Sequence, residues 1–331
     1  MTRILVTGVG SGIGQSILKC FQDSEYMVIG ADADPLAAGL YAVPKSYRIP
    51  FANAPDYVPR LLELCCTEDC KLIFPGVEPE LMVLAGALPQ FRAAGIIPVV
   101  CDPTVIALCD DKLATAQFLS KHGFHSPRTL LADDAAVTTQ SFPVILKPKA
   151  GGARSRGVFQ VHTRDEFDRY LSQVDRSNYV VQECLPGDDY TCGSVTFNGH
   201  CYGTIVMRRT LRDGDTYKAF VVNDTVIQDY LRRVAEVLRP FGACNFQLRL
   251  KDGEPYIFEI NSRCSGMTYG RACAGFNEPV MIADFLLKGK TPSYTIREIT
   301  ILRYWKELLV ENSAISTLDR EGSWVGDGGR L

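Results

Sequence analysis

Paired, short-spaced cysteines are missing from this chain. It holds 12 cysteines, from Cys20 to Cys273, but no CxxC. Cys65, Cys66 and Cys70 form the one tight group, in an apolar helix-like stretch. Zinc sites normally show paired short spacings, so these read as buried or surface thiols rather than metal ligands. Histidine is scarce. His122, His125, His162 and His200 are scattered, with no HxxxH, and none stands out as a ligand or base. No apolar run reaches the roughly 18 residues that span a bilayer. The opening MTRILVTGVGSGIG reaches glycine before a signal-peptide core forms, so a cytoplasmic protein is expected. A basic excess is also lacking: Lys plus Arg number 35 against 38 Asp plus Glu, a net charge of −3. That argues against nucleic acid as a partner. What remains is an ordinary folded composition, 46% hydrophobic and 22% charged. At 331 residues it is long enough for two or three domains.

Residues 1–101 alternate short apolar runs with amphipathic stretches. Ile4–Thr7, Val28–Ala31, Leu72–Phe74 and Pro98–Cys101 read as strands buried on both faces. Gln15–Phe21, Tyr57–Cys66 and Glu80–Ala94 carry helical spacing between them. Strand–helix alternation predicts a parallel sheet, a Rossmann-like domain. Its first turn, Thr7-Gly8-Val9-Gly10-Ser11-Gly12-Ile13-Gly14, matches the TGxxxGIG loop of short-chain dehydrogenases, with Asp32 at the end of the second strand. A reductase of that kind also needs a Tyr-x-x-x-Lys pair well downstream. The chain offers only Tyr41 to Lys45, far too early. The turn therefore reads either as a ligand contact or as a tight strand-to-helix connection. NAD(P) chemistry is kept as an alternative.

From Asp102 the pattern changes. Residues 103–122 read as one helix closed by Gly123. Strands are expected at Phe142–Lys147, Val158–His162 and Tyr179–Glu183, with helical residues 164–174 between the last two. Tyr190–Phe197 and Cys201–Arg208 form a hairpin at Asn198-Gly199. A helix at 224–239 then leads to a second hairpin, Asn245–Leu250 and Tyr256–Asn261. Residues 316–331 are polar and glycine-rich and read as a loose tail.

Three features carry chemistry. The second hairpin sets Gln247 against Glu259 and Asn261, which lie two apart and so share one sheet face. Oxygen donors gathered there suit Mg²⁺, which takes one or two carboxylates plus phosphate oxygens. Arg263, two further on, reaches the same side if the strand continues, where it would steady a transferring phosphoryl group. A solvated strand with polar outward positions would look the same. The second feature is the loop 149–157, with Gly151, Gly152 and Gly157 beside Arg154 and Arg156. Backbone N–H groups freed by glycine can wrap phosphates, although a plain surface hairpin is the alternative. The third is the pair Lys112 and Lys147. The latter ends an otherwise apolar strand, where a buried ammonium needs an anion.

In this order the features resemble the ATP-grasp superfamily, and most closely the synthetase domains of the carbamoyl phosphate synthetase large chain, over about residues 1–290. FEINSRCSG is the most specific string. The resemblance implies a Rossmann-like domain at 1–101, a small lobe with a phosphate lid at 102–183 and a large lobe with the Mg²⁺ site at 184–315. The fold class is thus α/β followed by α+β, with a two-lobed ATP-grasp. By that resemblance Lys112 and Lys147 bind phosphates, and Gly151, Gly152 and Gly157 form the lid. Gln182, Glu183, Cys184 and Leu185 meet adenine, and Asp189 the ribose. Gln247, Glu259 and Asn261 ligate Mg²⁺ (two ions, with Mn²⁺ as a substitute), and Asn261 and Arg263 are catalytic.

The expected activity is an ATP-dependent carboxylate–amine ligase acting through an acyl phosphate on small molecules. No nucleic-acid or membrane partner is expected, and a homodimer is the candidate assembly. Arg208, Arg209 and Lys218, on neighbouring strands, are candidates for the substrate carboxylate, or simply a solvated strand edge. Two departures separate the chain from carbamoyl phosphate synthetase. Ser262 stands for a proline and Gly266 for a second, bicarbonate-holding arginine, and there is one grasp unit rather than two. Bicarbonate is therefore the alternative substrate rather than the first choice.

Overall fold

Short β-rich runs between helices build a parallel sheet at the N-terminus of the computed structural model, which describes residues 1–152, 156–329 and 331. Its elements are β1 (Arg3–Thr7), α1 (Gly12–Phe21), β2 (Met27–Asp32), β3 (Lys45–Arg48), α2 (Tyr57–Glu68), β4 (Cys70–Phe74), α3 (Pro79–Gly86), α4 (Leu88–Ala93) and β5 (Ile97–Pro98). The parallel strands lie in the order β3-β2-β1-β4-β5. The chain leaves β1 toward β2 on one side and later enters β4 on the other. The carboxyl ends of β1 and β4 therefore flank the crevice where open α/β sheets take ligands.

The single helix expected at 80–94 is two helices. Pro89 lacks an N–H, and its ring would clash with the preceding turn, so the chain breaks at Ala87 and restarts. The expected strand Pro98–Cys101 shortens to Ile97–Pro98.

The helix expected at 103–122 is likewise two, α5 (Pro103–Asp110) and α6 (Lys112–Lys121). Asp111 sits between them with ψ 110°, and its carboxylate accepts from the Leu113 and Ala114 N–H groups. This N-cap outcompetes helix continuation and places Lys112 at the first position of α6. Next come β6 (Thr129–Leu131), β7 (Val144–Pro148), β8 (Phe159–Val161), α7 (Arg164–Leu171) and β9 (Tyr179–Glu183). They form an antiparallel sheet in the order β6-β9-β7-β8 around its own core of Val144, Leu146, Val161, Phe167 and Val181.

The largest layer contains β10 (Asp189–Phe197), β11 (His200–Arg212), β12 (Asp215–Val222), α8 (Thr225–Leu238), β13 (Gly242–Lys251), β14 (Glu254–Asn261), α9 (Thr268–Cys273), α10 (Glu278–Lys288) and β15 (Thr300–Leu302). Its antiparallel sheet runs β14-β13-β10-β11-β12-β15. The helix α8 buries Ile227, Leu231, Val234 and Leu238, at helical spacing, in a core with Phe246, Leu248 and Ile260.

The C-terminus is not a loose tail. Residues Asn312–Glu321 form α11, and β16 (Ser323–Val325) pairs antiparallel with β3 as a sixth strand of the N-terminal sheet. Trp324 packs edge-on against Tyr41 at 5.5 Å, and Arg48 pairs with Asp319 at 2.7 Å. Composition misleads here because anchoring comes from one edge strand and from Leu318, which is fully buried. Leu318→Ala should lower unfolding free energy by about 2–5 kcal/mol, as for other core leucines. Urea denaturation measures this, and an unchanged midpoint would restore the loose tail.

Candidate active site

A cavity of about 1250 Å³ opens where the carboxyl end of the parallel sheet meets the two antiparallel sheets. Its floor follows from strand register. Gln247 of β13 lies opposite Glu259 of β14, and Asn245 opposite Asn261, so alternation turns all four to one face. Gln247 Nε2 and Asn261 Nδ2 both donate to Glu259 Oε1, at 3.2 and 3.0 Å. Arg263 Nη2 donates to Asn261 Oδ1 at 3.1 Å and forms an ion pair with Glu78 at the start of α3. At the other end Arg209 donates to Gln247 Oε1 and to Asp189, each at 2.7 Å. One hydrogen-bonded thread thus runs Asp189–Arg209–Gln247–Glu259–Asn261–Arg263–Glu78.

Two ammonium groups face that floor. Lys147 ends β7 and is 6% exposed, and Lys112 is 8% exposed. Among the described residues neither makes an ion pair. Lys112 Nζ donates to the Gly151 carbonyl at 2.6 Å, and Lys147 Nζ to the Phe258 carbonyl at 3.3 Å. Burial pushes the Lys147 ammonium down to about 8, although the Glu259 charge resists. Burial would raise the Glu259 carboxyl, but the Lys147 and Lys112 charges, the Asn261 hydrogen bond and the Arg263 charge outweigh it. They hold it below its ordinary value. An ionised carboxylate with two amide oxygens is a hard donor set. It fits Mg²⁺ arriving with phosphate oxygens better than a cation held by protein alone.

Gln182, Glu183, Cys184 and Leu185, at and after the end of β9, also line the cavity, as does Asp189. Glu183 pairs with Lys251 at 2.7 Å, and Arg249 Nη1 donates to the Leu185 carbonyl at 2.5 Å, tying this strand to the large sheet. Gly151 and Gly152 line the cavity, and Gly151 N donates to Asp110 at 2.9 Å. Gly157 does not line it. With φ +70°, and room for a Cβ blocked by the Tyr179 hydroxyl at 2.6 Å, it serves the turn itself. Ala153, Arg154 and Ser155 of the expected lid lie outside the described residues.

Of the three expected substrate cations, Arg209 alone faces the cavity. Arg208 and Lys218 are exposed on the other face of their strands. There Arg208 pairs with Asp188 at 3.0 Å and lies over Phe220, while Lys218 lies over Tyr217. Neighbours along a strand alternate faces, so Arg208 and Arg209 cannot serve one pocket.

Sequence reasoning passed over Glu78, Asn245, Arg249 and Arg303, all of which line the cavity. Glu78 was open to discovery, since it follows the carboxyl end of a parallel strand. The turn after β1 also reaches the cavity through Gly10, Ser11, Gly12 and Ile13. Asp32 accepts from Gly10 N at 2.7 Å and Asp34 N at 3.0 Å, so its carboxylate braces that turn. Beneath the neighbouring turn the Glu80 carboxyl accepts from the Thr7 hydroxyl at 2.7 Å, and burial pushes it up to about 7.

Known proteins share this fold. The family model described as "ATP-grasp in the biosynthetic pathway with Ter operon" matches residues 175–307, and that of the PylC-like N-terminal domain matches residues 4–100. N5-carboxyaminoimidazole synthetase from Staphylococcus aureus, solved with ADP, superposes with a TM-score of 0.69 at 14% identity, over 91% of this chain and 80% of that one. The chain has the ATP-grasp fold. L-amino acid ligase from Bacillus licheniformis is also similar, with a TM-score of 0.67 at 17% identity, over 87% of this chain and 74% of that one. Among curated proteins, the alpha-aminoadipate–LysW ligase LysX of Saccharolobus solfataricus is 25% identical over 96 residues, 26% of this chain. The chain spans about a third, 35%, of that relative's length.

The depressed Lys147 sets a pH test. Its positive charge is present below about pH 8 and is lost as pH rises through that value. Affinity for a non-hydrolysable ATP analogue should therefore fall between pH 7 and pH 9. Lys147→Ala should lose about 1–3 kcal/mol at pH 7, as for a hydrogen bond to a charged group, and lose most of the pH dependence. Calorimetric titration measures both. A wild-type-like dissociation constant would remove Lys147 from the nucleotide's contacts.

Proposed function

We propose that the chain is an ATP- and Mg²⁺-dependent ligase that joins a small carboxylate to an amine through an acyl phosphate. The observation that carries this reading is the Gln247–Glu259–Asn261 floor facing two buried ammoniums that make no direct ion pair among the described residues, inside one cavity. Glu259, Gln247 and Asn261 would hold Mg²⁺, which when bound neutralises charge between the phosphates. Lys112 and Lys147 would take phosphate oxygens, the Gln182–Leu185 strand the adenine and Asp189 the ribose. In the first step a carboxylate oxygen attacks the γ-phosphorus and the bond to ADP breaks. In the second, the amine attacks the acyl carbon and inorganic phosphate leaves. Phosphoryl transfer of this kind asks the protein for positioning and charge, which is what Arg263, fixed between Asn261 and Glu78, would supply.

Gly266 bears on the carboxylate. It lines the cavity, and a Cβ there would meet nothing within 4 Å. Space and a missing cation favour an amino acid over bicarbonate, the substrate of a carbamoyl phosphate synthetase-type reaction. A dinucleotide oxidoreductase is the weaker reading, because Asp32 already spends its carboxylate on the turn.

Glu259→Gln keeps the shape and removes the charge. ADP release should drop by on the order of 100-fold or more, the scale of one lost transition-state charge contact, with the melting temperature preserved. Wild-type turnover would sink the metal assignment. In a screen of amino acids and bicarbonate, at least one amino acid should stimulate ADP release clearly and bicarbonate weakly or not at all. Gly266→Arg should cut the amino-acid response at least about tenfold by filling the pocket. Carbamoyl phosphate accumulating from ATP, bicarbonate and ammonia would instead favour the synthetase reading.

A further inference from the structure

Beside the floor, on the same face of the sheet, lies an ion pair with no exposure at all. Arg271 of α9 donates from Nη1 to Glu278 Oε1 at 2.8 Å, and both side chains are 0% exposed. Gly193 of β10 makes the room, since a Cβ there would come within 2.3 Å of Glu278 Oε1 and 2.6 Å of Arg271 Nη1. Burying such a pair contributes little to stability over apolar packing, so its contacts are the better guide to its use. Arg271 Nη2 reaches across that face to Asn245 Oδ1 and to Thr191 Oγ1, the latter at 3.3 Å. Thr191 Oγ1 itself donates to Asn245 Oδ1 at 2.9 Å.

Two donors on Oδ1 fix the Asn245 amide, because the flipped amide would set N–H against N–H. Asn245 is 2% exposed and lines the cavity beside Asn261, its cross-strand partner. Its Nδ2 donates to no described residue, yet it is not among the fully enclosed, unpaired atoms. An amide oxygen with both lone pairs taken cannot ligate a cation, whereas Gln247 and Asn261, each with one donor on its oxygen, keep a lone pair for it. What it offers the cavity is a donor.

We propose that Asn245 is an anion-binding donor of the active site, aimed from the side by the Arg271–Glu278 pair as positioning residues. This deepens the ligase reading and rests on it. The anionic oxygen it meets belongs either to the terminal phosphoryl group or to the acceptor carboxylate. Either would sit beside the Glu259–Asn261 side of the floor. A fixed donor there strengthens as charge builds on that oxygen and needs no reorganisation.

The test uses the full chain with inorganic tripolyphosphate and Mg²⁺ as the probe, alongside ATP and the stimulating amino acid. Asn245→Asp keeps a partner for Arg271 but replaces the donor with a negative charge, and Asn245→Ala removes the donor together with the oxygen that Arg271 and Thr191 hold. If the phosphoryl group is the partner, tripolyphosphate affinity should fall at least tenfold in Asn245→Asp and less in Asn245→Ala, while half-saturation by Mg²⁺ stays within twofold. If the acceptor carboxylate is the partner, tripolyphosphate binding is retained and the amino-acid KM rises at least tenfold. In wild-type protein the Asn245 side-chain amide resonances should shift on adding the partner, a readout that needs no variant to fold. Unchanged affinities with unshifted amide resonances would overturn the proposal. So would a tenfold rise in Mg²⁺ half-saturation with anion affinity intact, which marks a metal ligand. Wild-type protein that binds tripolyphosphate but not ATP would end the ligase reading and leave the donor assignment standing. Binding of neither would end both.

Discussion

Burial works against the Glu259 carboxylate, and the cations around it work in its favour. Lys147, Lys112 and Arg263, with the Asn261 amide, hold it ionised where burial alone would favour its protonated form. The relation is reciprocal, because Glu259 resists the loss of charge from Lys147. The groups come from separate units: Glu259 from the last hairpin, Lys147 from the end of β7, Lys112 from the restart of a broken helix. The site is therefore also a contact between lobes. Any motion that parts the two antiparallel sheets alters the charge balance on both sides of the cavity.

The thread of side chains along the floor carries the same dependence into the N-terminal domain. Arg263 lies just after β14, and its carboxylate partner is Glu78, at the carboxyl end of β4. The parallel sheet thus holds one end of the proposed phosphoryl-transfer machinery and, through the Gly10–Ile13 turn, lines the far wall of the cavity. Beside the floor, on the same sheet face, Arg271, paired with Glu278, holds Asn245. The polar residues of the floor are braced at both ends and from the side, the preorganisation that positioning chemistry needs.

Much of the fold was legible because it depends on local periodicity. Alternation alone turned Glu259 and Asn261 to one face, and the short apolar runs of the N-terminal third became parallel strands. The same rule, applied to β11, would have separated Arg208 from Arg209, since adjacent residues point to opposite faces. The two helix breaks were written in the sequence as well. Pro89 cannot continue a helix, and Asp111 is a strong N-cap, but apolar spacing on either side masked both.

By itself the sequence determined the strand–helix alternation of the N-terminal third, the glycine turns, the hairpin and the ligand-like set Gln247, Glu259, Asn261 and Arg263, all properties of neighbours along the chain. Tertiary structure decided what each of these faces. Glu78 meets Arg263 across 185 residues, Arg271 meets Asn245 across 26, and β16 returns from the C-terminus to β3. Such contacts are set by how sheets stack and where helices break. A local pattern carries no record of the partner that packing brings to it from elsewhere in the chain.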